Sequence, residues 1–406
     1  AGPHDFSSSS WGTGSFAISD FLGWSDLVAR QEDGSRLRTG VRQLRSRRKV
    51  AAASGQAPLG AAGRTLLGQG APWFESWLEH PDPEDPFWQP LRCGVALEQV
   101  RVPVLLVGGW QDLFLQQTLE QYRRLRDRGV DVGLTVGPWT HTRLLTAGLA
   151  DITRESLQWL ETHLGAGRVE PRSHPVRVFV NGQGWSDLPD WPPATSDQAT
   201  YLQPGGGLGD APPATQTSVS FRYDPADPTP TVGGQLLSPD AGYRDDGRLV
   251  RRDDVLSFTG EPLTAALVVQ GNPVVELRHS ADIPHVDLFA RVSEVDARGR
   301  SRNVSDGYRR LTGARPDAAV VTVELDAIAH RFAAGSRIRV LIAGGSHPRY
   351  ARNLGTGEPV ATGRQVKSAV HTVHLGPSHL GPSRLLLPVL DGPDEVNPVG
   401  RSPVRR

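Results

Sequence analysis

The chain contains no methionine, a single cysteine (Cys93) and only two lysines (Lys49 and Lys367) among its 44 basic residues. One cysteine excludes an internal disulfide and any cysteine-based metal site, and its apolar neighbours predict a buried structural thiol rather than a reactive one. The preference for arginine over lysine reads as genomic base composition. Acidic and basic residues balance to a formal charge of +0, so nothing calls for nucleic acid or an acidic membrane as partner. The densest basic run, from Arg36 and Arg38 through Arg45, Arg47 and Arg48 to Lys49, reads as a solvated helix face beside Asp26, Glu32 and Asp33. No apolar run reaches membrane-spanning length and no secretory leader opens the chain. A cytoplasmic location is expected, with the natural amino terminus missing from this sequence.

What is present is a pair of strand ends. Val104 to Gly109 and Leu134 to Gly137 are short apolar runs that stop at glycine, the first followed by Trp110-Gln111-Asp112 and the second by Pro138-Trp139-Thr140-His141. Between them Leu119, Tyr122 and Leu125 recur at helical spacing over Gln116 to Arg128, and Gly129 is placed to end the helix. Strand, helix and strand read as a βαβ unit with parallel strands. Asp112 and His141 then emerge together at the carboxyl edge of one sheet, where open α/β sheets place their sites.

Acid before histidine on loops after parallel strands is the chain order of an α/β-hydrolase triad, whose serine precedes both on a G-x-S-x-G elbow. No G-x-S-x-G occurs; Gly12-Thr13-Gly14-Ser15 and Gly344-Gly345-Ser346 lack the second glycine. The residues thus show a base and its orienter without a nucleophile.

Seven patterns, the two loops just described among them, lie in one order along the chain. They are His80-Pro81 with Trp88, Gly109-Trp110-x-Asp112, Gly137-Pro138-Trp139-x-His141, and Tyr223-Asp224-Pro225-Ala226-Asp227-Pro228 with Gly233-Gly234. Arg252-Asp253-Asp254-Val255-Leu256, Pro348-x-Tyr350-x-Arg352-Asn353 with Thr356-Gly357, and Gly376-Pro377 complete them. In these residues the chain resembles the cocaine esterase-type (CocE/NonD) serine hydrolases, a family that includes Xaa-Pro dipeptidyl peptidases, glutaryl acylases and α-amino-acid ester hydrolases. Ala1 to Asp5 resembles the end of the strand after the nucleophile elbow. The resemblance therefore implies the carboxyl-terminal two-thirds of such an enzyme, with its serine upstream of residue 1 and this chain inactive alone.

It also implies roles. His141 would be the general base and Asp112 the group that fixes its tautomer. Trp110 and Trp139 would wall the site or, equally, anchor packing. The substrate would be a small ester, amide or short peptide, and no cofactor or metal is expected. His371-x-x-His374 lies in a predicted strand, where residues three apart face opposite sides. Asp224, Asp227, Asp245 and Asp246 read as turn formers rather than calcium ligands.

The expected architecture is a partial α/β-hydrolase domain (1–22 and 99–197) with an inserted helical cap (23–98), followed by a β-sandwich (198–406), a jelly roll of galactose-binding-like type. Residues 1–22 read as a strand tail and loop. In the cap, Trp73, Phe74, Trp77, Phe87 and Trp88 would line an acyl pocket or, more readily, pack the cap core. A last helix is expected over Ile152 to Leu164, capped by Asp151, with Leu157, Leu160 and Leu164 on one face. Beyond residue 198 strands fall near 219–223, 264–270, 286–292, 321–325, 337–340, 369–375 and 384–390.

Two other readings compete. One is a non-catalytic remnant whose sandwich binds sugar or protein, although all ten tryptophans fall at or before Trp191 and leave the sandwich no indole platform. The other takes a nucleophile from Ser7 to Ser10.

Overall fold

The computed structural model describes residues 2–29, 39–165 and 170–391, with the helix backbone alone at 39–45. Glu32, Asp33, Gly34, Arg36 and Arg38 lie outside them. Arg47, Arg48 and Lys49 are exposed on their helix.

The first hundred residues are helical: α1 (Phe6–Trp11), α2 (Ile18–Ala29), α3 (Thr39–Ser54), α4 (Leu59–Leu67), α5 (Trp73–Glu79) and α6 (Gly94–Gln99). The strand tail expected over 1–22 is therefore corrected. Asp5 caps α1, its Oδ1 accepting from the backbone N–H of Ser7 (2.8 Å) and Ser8 (3.3 Å), the role a short acid plays at a helix start. A lone antiparallel bridge from Asp5 to Arg92 is what remains of extended structure there. The helices close over one aromatic core of Trp11, Phe16, Phe21, Phe74, Trp77 and Trp88. Trp11 Nε1 donates to the carbonyl of Trp77 at 2.8 Å and Trp88 Nε1 to that of His80 at 3.1 Å. Both indoles thus satisfy their polar edge while burying the ring. Of the aromatics considered for a pocket, Phe74, Trp77 and Trp88 are core, and Trp73 and Phe87 pack against it.

A four-stranded sheet follows in the order β1-β2-β3-β4, built from β1 (Val104–Gln111), β2 (Val132–Thr140), β3 (Val176–Val180) and β4 (Gly184–Leu188). The pairs β1–β2 and β2–β3 are parallel, and β3–β4 is an antiparallel hairpin. Helix α7 (Leu115–Asp127) crosses between β1 and β2 and buries Leu115, Leu119, Tyr122 and Leu125 against Leu134, Val136, Val176 and Val178. It ends just before Gly129, whose φ of 72° suits glycine. A one-turn helix α8 (His141–Leu144) and then α9 (Leu149–Leu164) follow β2. Helix α9 starts a turn earlier than expected, after Gly148 rather than Asp151. Its Leu157, Leu160 and Leu164 are 55%, 50% and 81% exposed, so that stripe faces solvent among the described residues. The opposite side buries Glu155 beside Arg172 and Arg177.

The remaining strands are β5 (Thr195–Leu202), β6 (Leu208–Gly209), β7 (Ser218–Tyr223), β8 (Val255–Thr259), β9 (Leu267–Gly271), β10 (Val274–Ala281) and β11 (His285–Val295). After them come β12 (Ser301–Thr312), β13 (Ala319–Glu324), β14 (Ile328–Phe332), β15 (Arg337–Ala343), β16 (Ala369–His374) and β17 (Arg384–Leu390). They form two antiparallel sheets. One runs β14-β9-β17-β10-β16-β7, with β13 on β10, β5 on β17 and β6 on β5; the other is β12-β11-β15-β8. Their inner faces interdigitate through Leu277, Leu288, Val292, Val323, Val340 and Leu385, which gives a jelly-roll sandwich. Alternation is clear where one face is wet, as in β13, where Val321 and Val323 are buried and their neighbours exposed.

The sandwich is tied to the α/β sheet by backbone bonds, Asn181 N to Ala329 O (2.9 Å) and Arg331 N to Asn181 O (2.8 Å). Cys93 is exposed, against the expectation of a buried thiol. It ends the turn before the short exposed helix α6, none of whose residues is buried.

Candidate active site

Strands β1 and β2 run in register from Val104↔Val132 to Gly109↔Gly137, then shift so that Gln111 pairs with Thr140. The glycines make this shift possible. A Cβ on Gly109 would lie 2.3 Å from the carbonyl oxygen of Trp139, and one on Gly137 would lie 2.4 Å from the Trp139 ring. With side chains there, the two loops would be pushed apart.

They deliver Asp112 and His141 to each other. His141 Nδ1 lies 3.1 Å from Asp112 Oδ1, which also accepts the backbone N–H of Phe114 at 2.9 Å. Asp112 is fully buried, and its Oδ2 has no hydrogen-bond partner. The His141 side chain is 30% exposed and packs edge-on against Phe114, with ring centroids 5.3 Å apart. With Nδ1 engaged, Nε2 is left as the outward nitrogen. Among the described residues no serine hydroxyl is bonded to it.

The hydroxyls of Ser7 to Ser10 are occupied elsewhere. Ser7 Oγ donates to Asp5 Oδ1 (2.6 Å), and those of Ser8, Ser9 and Ser10 donate to carbonyls of their own helix. Gln117 of α7 also donates to Ser8 Oγ and Ser9 Oγ.

The two tryptophans of these loops are both buried. Trp110 has no exposed surface; its Nε1 donates to Phe179 O at 2.7 Å and its ring meets Trp191 at 5.0 Å. Of the two readings of Trp110, wall or packing anchor, this burial favours the anchor. Trp139 is 4% exposed and lies against Gly137, Gly148 and Trp185.

The sandwich supplies part of the surroundings. Gln235 Nε2 donates to Trp110 O (3.3 Å) and Gln111 Nε2 to Val304 O (3.4 Å). Leu237 N donates to Asp20 Oδ1 on α2 at 2.7 Å. Burial pushes the Asp20 carboxyl up to about 6, against the pull of that bond and of the Arg349 and His141 charges. Arg349 in turn reaches Asp306 (3.0 Å) and Asp326 (3.5 Å). Asp306 holds Arg291 at 2.6 Å, and Arg291 lies 3.6 Å from Asp246. Asp326 is likewise pushed up to about 6 by burial, and Gln116 of α7 bonds to it. A buried chain of alternating charge thus connects the neighbourhood of His141 to the sandwich core. Sequence reasoning missed Asp20, Asp306, Asp326 and Arg349. The one signal was Arg349, which fills the variable position of Pro348-x-Tyr350.

No group of three or more metal-binding side chains occurs among the described residues. Asp224 and Asp245 cap turns through the backbone N–H of Ala226 and Gly247, and Asp246 accepts from Ser293 Oγ. His371 points inward to His279 while His374 meets Ser280.

The X-Pro dipeptidyl-peptidase (S15 family) model matches residues 1–143, and that of the X-Pro dipeptidyl-peptidase C-terminal non-catalytic domain matches 168–385. The chain is 30% identical to the cocaine esterase of Rhodococcus sp. (strain MB1 Bresler), over 93% of this chain and 73% of the relative. It is 26% identical to a putative serine esterase of Mycobacterium bovis, over 63% of this chain and 45% of that protein. Among solved structures, an aminopeptidase from a marine sediment Thaumarchaeota archaeon superposes with a TM-score of 0.78 at 22% identity, over 94% of this chain and 70% of the other. An α-amino acid ester hydrolase gives 0.76 at 22% identity, over 93% and 69%; at such identity these two speak for the fold.

The match of the S15 family to residues 1–143 overturns three linked expectations: that the chain is only a carboxyl-terminal part, that its nucleophile lies upstream, and that it is inactive alone. The catalytic family is represented within the chain itself. The absence of G-x-S-x-G was a guide to one local turn, and it did not bear the weight of assigning the whole catalytic region elsewhere. The chain belongs to the cocaine esterase-related serine-hydrolase family, carrying matches to both the S15 and the C-terminal X-Pro dipeptidyl-peptidase models.

Proposed function

We propose that the protein hydrolyses small acyl esters, amides or short peptides, with His141 as general base and Asp112 as its orienter. The observation that carries this reading is the Nδ1–Oδ1 contact of 3.1 Å between two side chains at the carboxyl edge of parallel strands. Asp112 holds the proton of His141 on Nδ1, so Nε2 is the basic nitrogen and faces outward. A serine hydroxyl gives its proton to Nε2 as its oxygen attacks the acyl carbon. The imidazolium, stabilised by buried Asp112, then returns that proton to the departing alcohol or amine. Water repeats the cycle on the acyl-enzyme and releases the acid.

Turnover of nitrophenyl acetate and butyrate tests the reading. His141→Ala should lower kcat by about 10⁶, the loss seen when a triad base is removed from a serine protease, and Asp112→Asn by about 10⁴. Turnover left intact in His141→Ala would refute the assignment.

A further inference from the structure

On the sandwich, away from Asp112 and His141, a cavity of about 360 Å³ opens between the end of β10, the end of β12 and the loop into β13. Its polar wall carries charge of one sign. Arg309, Arg310, Arg315 and His279 line it, and no aspartate or glutamate does. Arg310 is neutralised by buried Asp287, at 2.8 Å through two nitrogens. Arg309 bonds only the Thr322 carbonyl, at 2.9 Å, and Arg315 has no side-chain partner among the described residues. Two of the arginines that line the cavity therefore have no acid partner among the described residues. The rest of the wall is Thr312 and small or apolar residues, among them Leu311, Val320 and Val321.

His279 adds a directed donor. It is 2% exposed, and its Nε2 lies 3.0 Å from Nδ1 of His371, which is fully buried, stacked on Phe221 and left with no partner at Nε2. Burial pushes the two imidazoles down to about 4 and about 3, so both are neutral at physiological pH. One proton is shared between them. If His279 donated it, His371 would keep a buried N–H with no acceptor. If His371 donates, its Nε2 is a bare acceptor, and the His279 proton sits on Nδ1. Orphaned buried N–H groups are the rarer of the two, which favours the second arrangement. His279 then presents an N–H to the cavity it lines.

We propose that this cavity binds a small oxyanion, a carboxylate or phosphate bearing a short apolar group, held by Arg309, Arg315 and His279. A wall whose charged side chains are all donors favours a ligand rich in lone pairs, and guanidinium forks match carboxylate and phosphate oxygens. The volume lies in the lower range of small-molecule sites, and Leu311, Val320 and Val321 would cover the apolar part.

The test is calorimetric titration of the intact protein, at low ionic strength, with inorganic phosphate and separately with butyrate. His279 Hε1 is followed by NMR in parallel. The site predicts saturable heat with a dissociation constant in the millimolar range or tighter, and a shift of the His279 signal. Arg309→Ala with Arg315→Ala should weaken binding at least tenfold and abolish the shift, and Arg315→Glu should abolish both. Arg298→Ala, in an exposed hairpin elsewhere, should change neither. Tighter binding of butyrate supports the full proposal. Binding of phosphate alone supports the oxyanion site and overturns the apolar contribution. Absence of saturable heat with both probes, or undiminished affinity in the double variant with its fold intact by circular dichroism, overturns the site.

Discussion

Replacing Asp20 with asparagine should stabilise the protein at neutral pH, although it removes a charge beside an arginine. Asp20 is 8% exposed, and its folded carboxyl stands at about 6 against 3.8 for the free group. A carboxyl whose value is raised by folding supports the fold when protonated. That support is fully present below 3.8 and is lost as pH rises through 6. The rise from 3.8 to about 6 corresponds to about 3 kcal/mol. Asparagine keeps the oxygen that accepts from Leu237 N and carries no charge to desolvate. Arg349 loses one neighbour but retains Asp306 and Asp326, so the net gain should be about 1–3 kcal/mol at pH 8. Urea unfolding at pH 4 and pH 8 measures it. From pH 4 to pH 8 the stability difference between Asp20→Asn and wild type should grow in favour of the variant, as the wild-type carboxyl loses its proton. A variant less stable than wild type at pH 8, with an unchanged pH slope, would refute the reasoning.

Two further outcomes follow from the same structure. Asp306→Asn leaves Arg291 and Arg349, at 0% and 7% side-chain exposure, without their shared acid, and should destabilise by about 3–5 kcal/mol; Asp296→Asn at the exposed Arg300 pair should barely move the thermal midpoint. Cys93, the exposed single thiol, should react completely with a disulfide reagent in native buffer, and protection until denaturant is added would contradict its placement.

The βαβ unit was legible because its signals are local. Leu119, Tyr122 and Leu125 mark one helix face, and the glycines at 109, 129 and 137 mark the places where a Cβ does not fit or φ is positive. Asp112 and His141 were legible as a pair because parallel strands carry their ends to one edge. The strands missed, β10 and β12 among them, have inward polar groups that break alternation: Arg278, His279 and Ser280 in one, and Asn303, Ser305 and Asp306 in the other, all buried. Those groups are satisfied by partners far along the chain, such as His371 for His279 and Arg349 for Asp306. No window of sequence contains both members of such a pair. The same holds for Asp20, whose anchoring donor Leu237 is 217 residues away. Helix α1 was missed for a different reason, since four consecutive serines carry little helical preference and only the cap at Asp5 betrays the helix.

If His141 activates a serine, the rate of covalent labelling by a fluorophosphonate should depend on its imidazole. Wild-type protein should be labelled at one serine, identified by peptide mass spectrometry, and His141→Ala should be labelled at least about 10³-fold more slowly, in keeping with the loss of a general base. Equal labelling rates in the two proteins, or no labelled serine in a wild-type protein that turns over ester, would contradict the account.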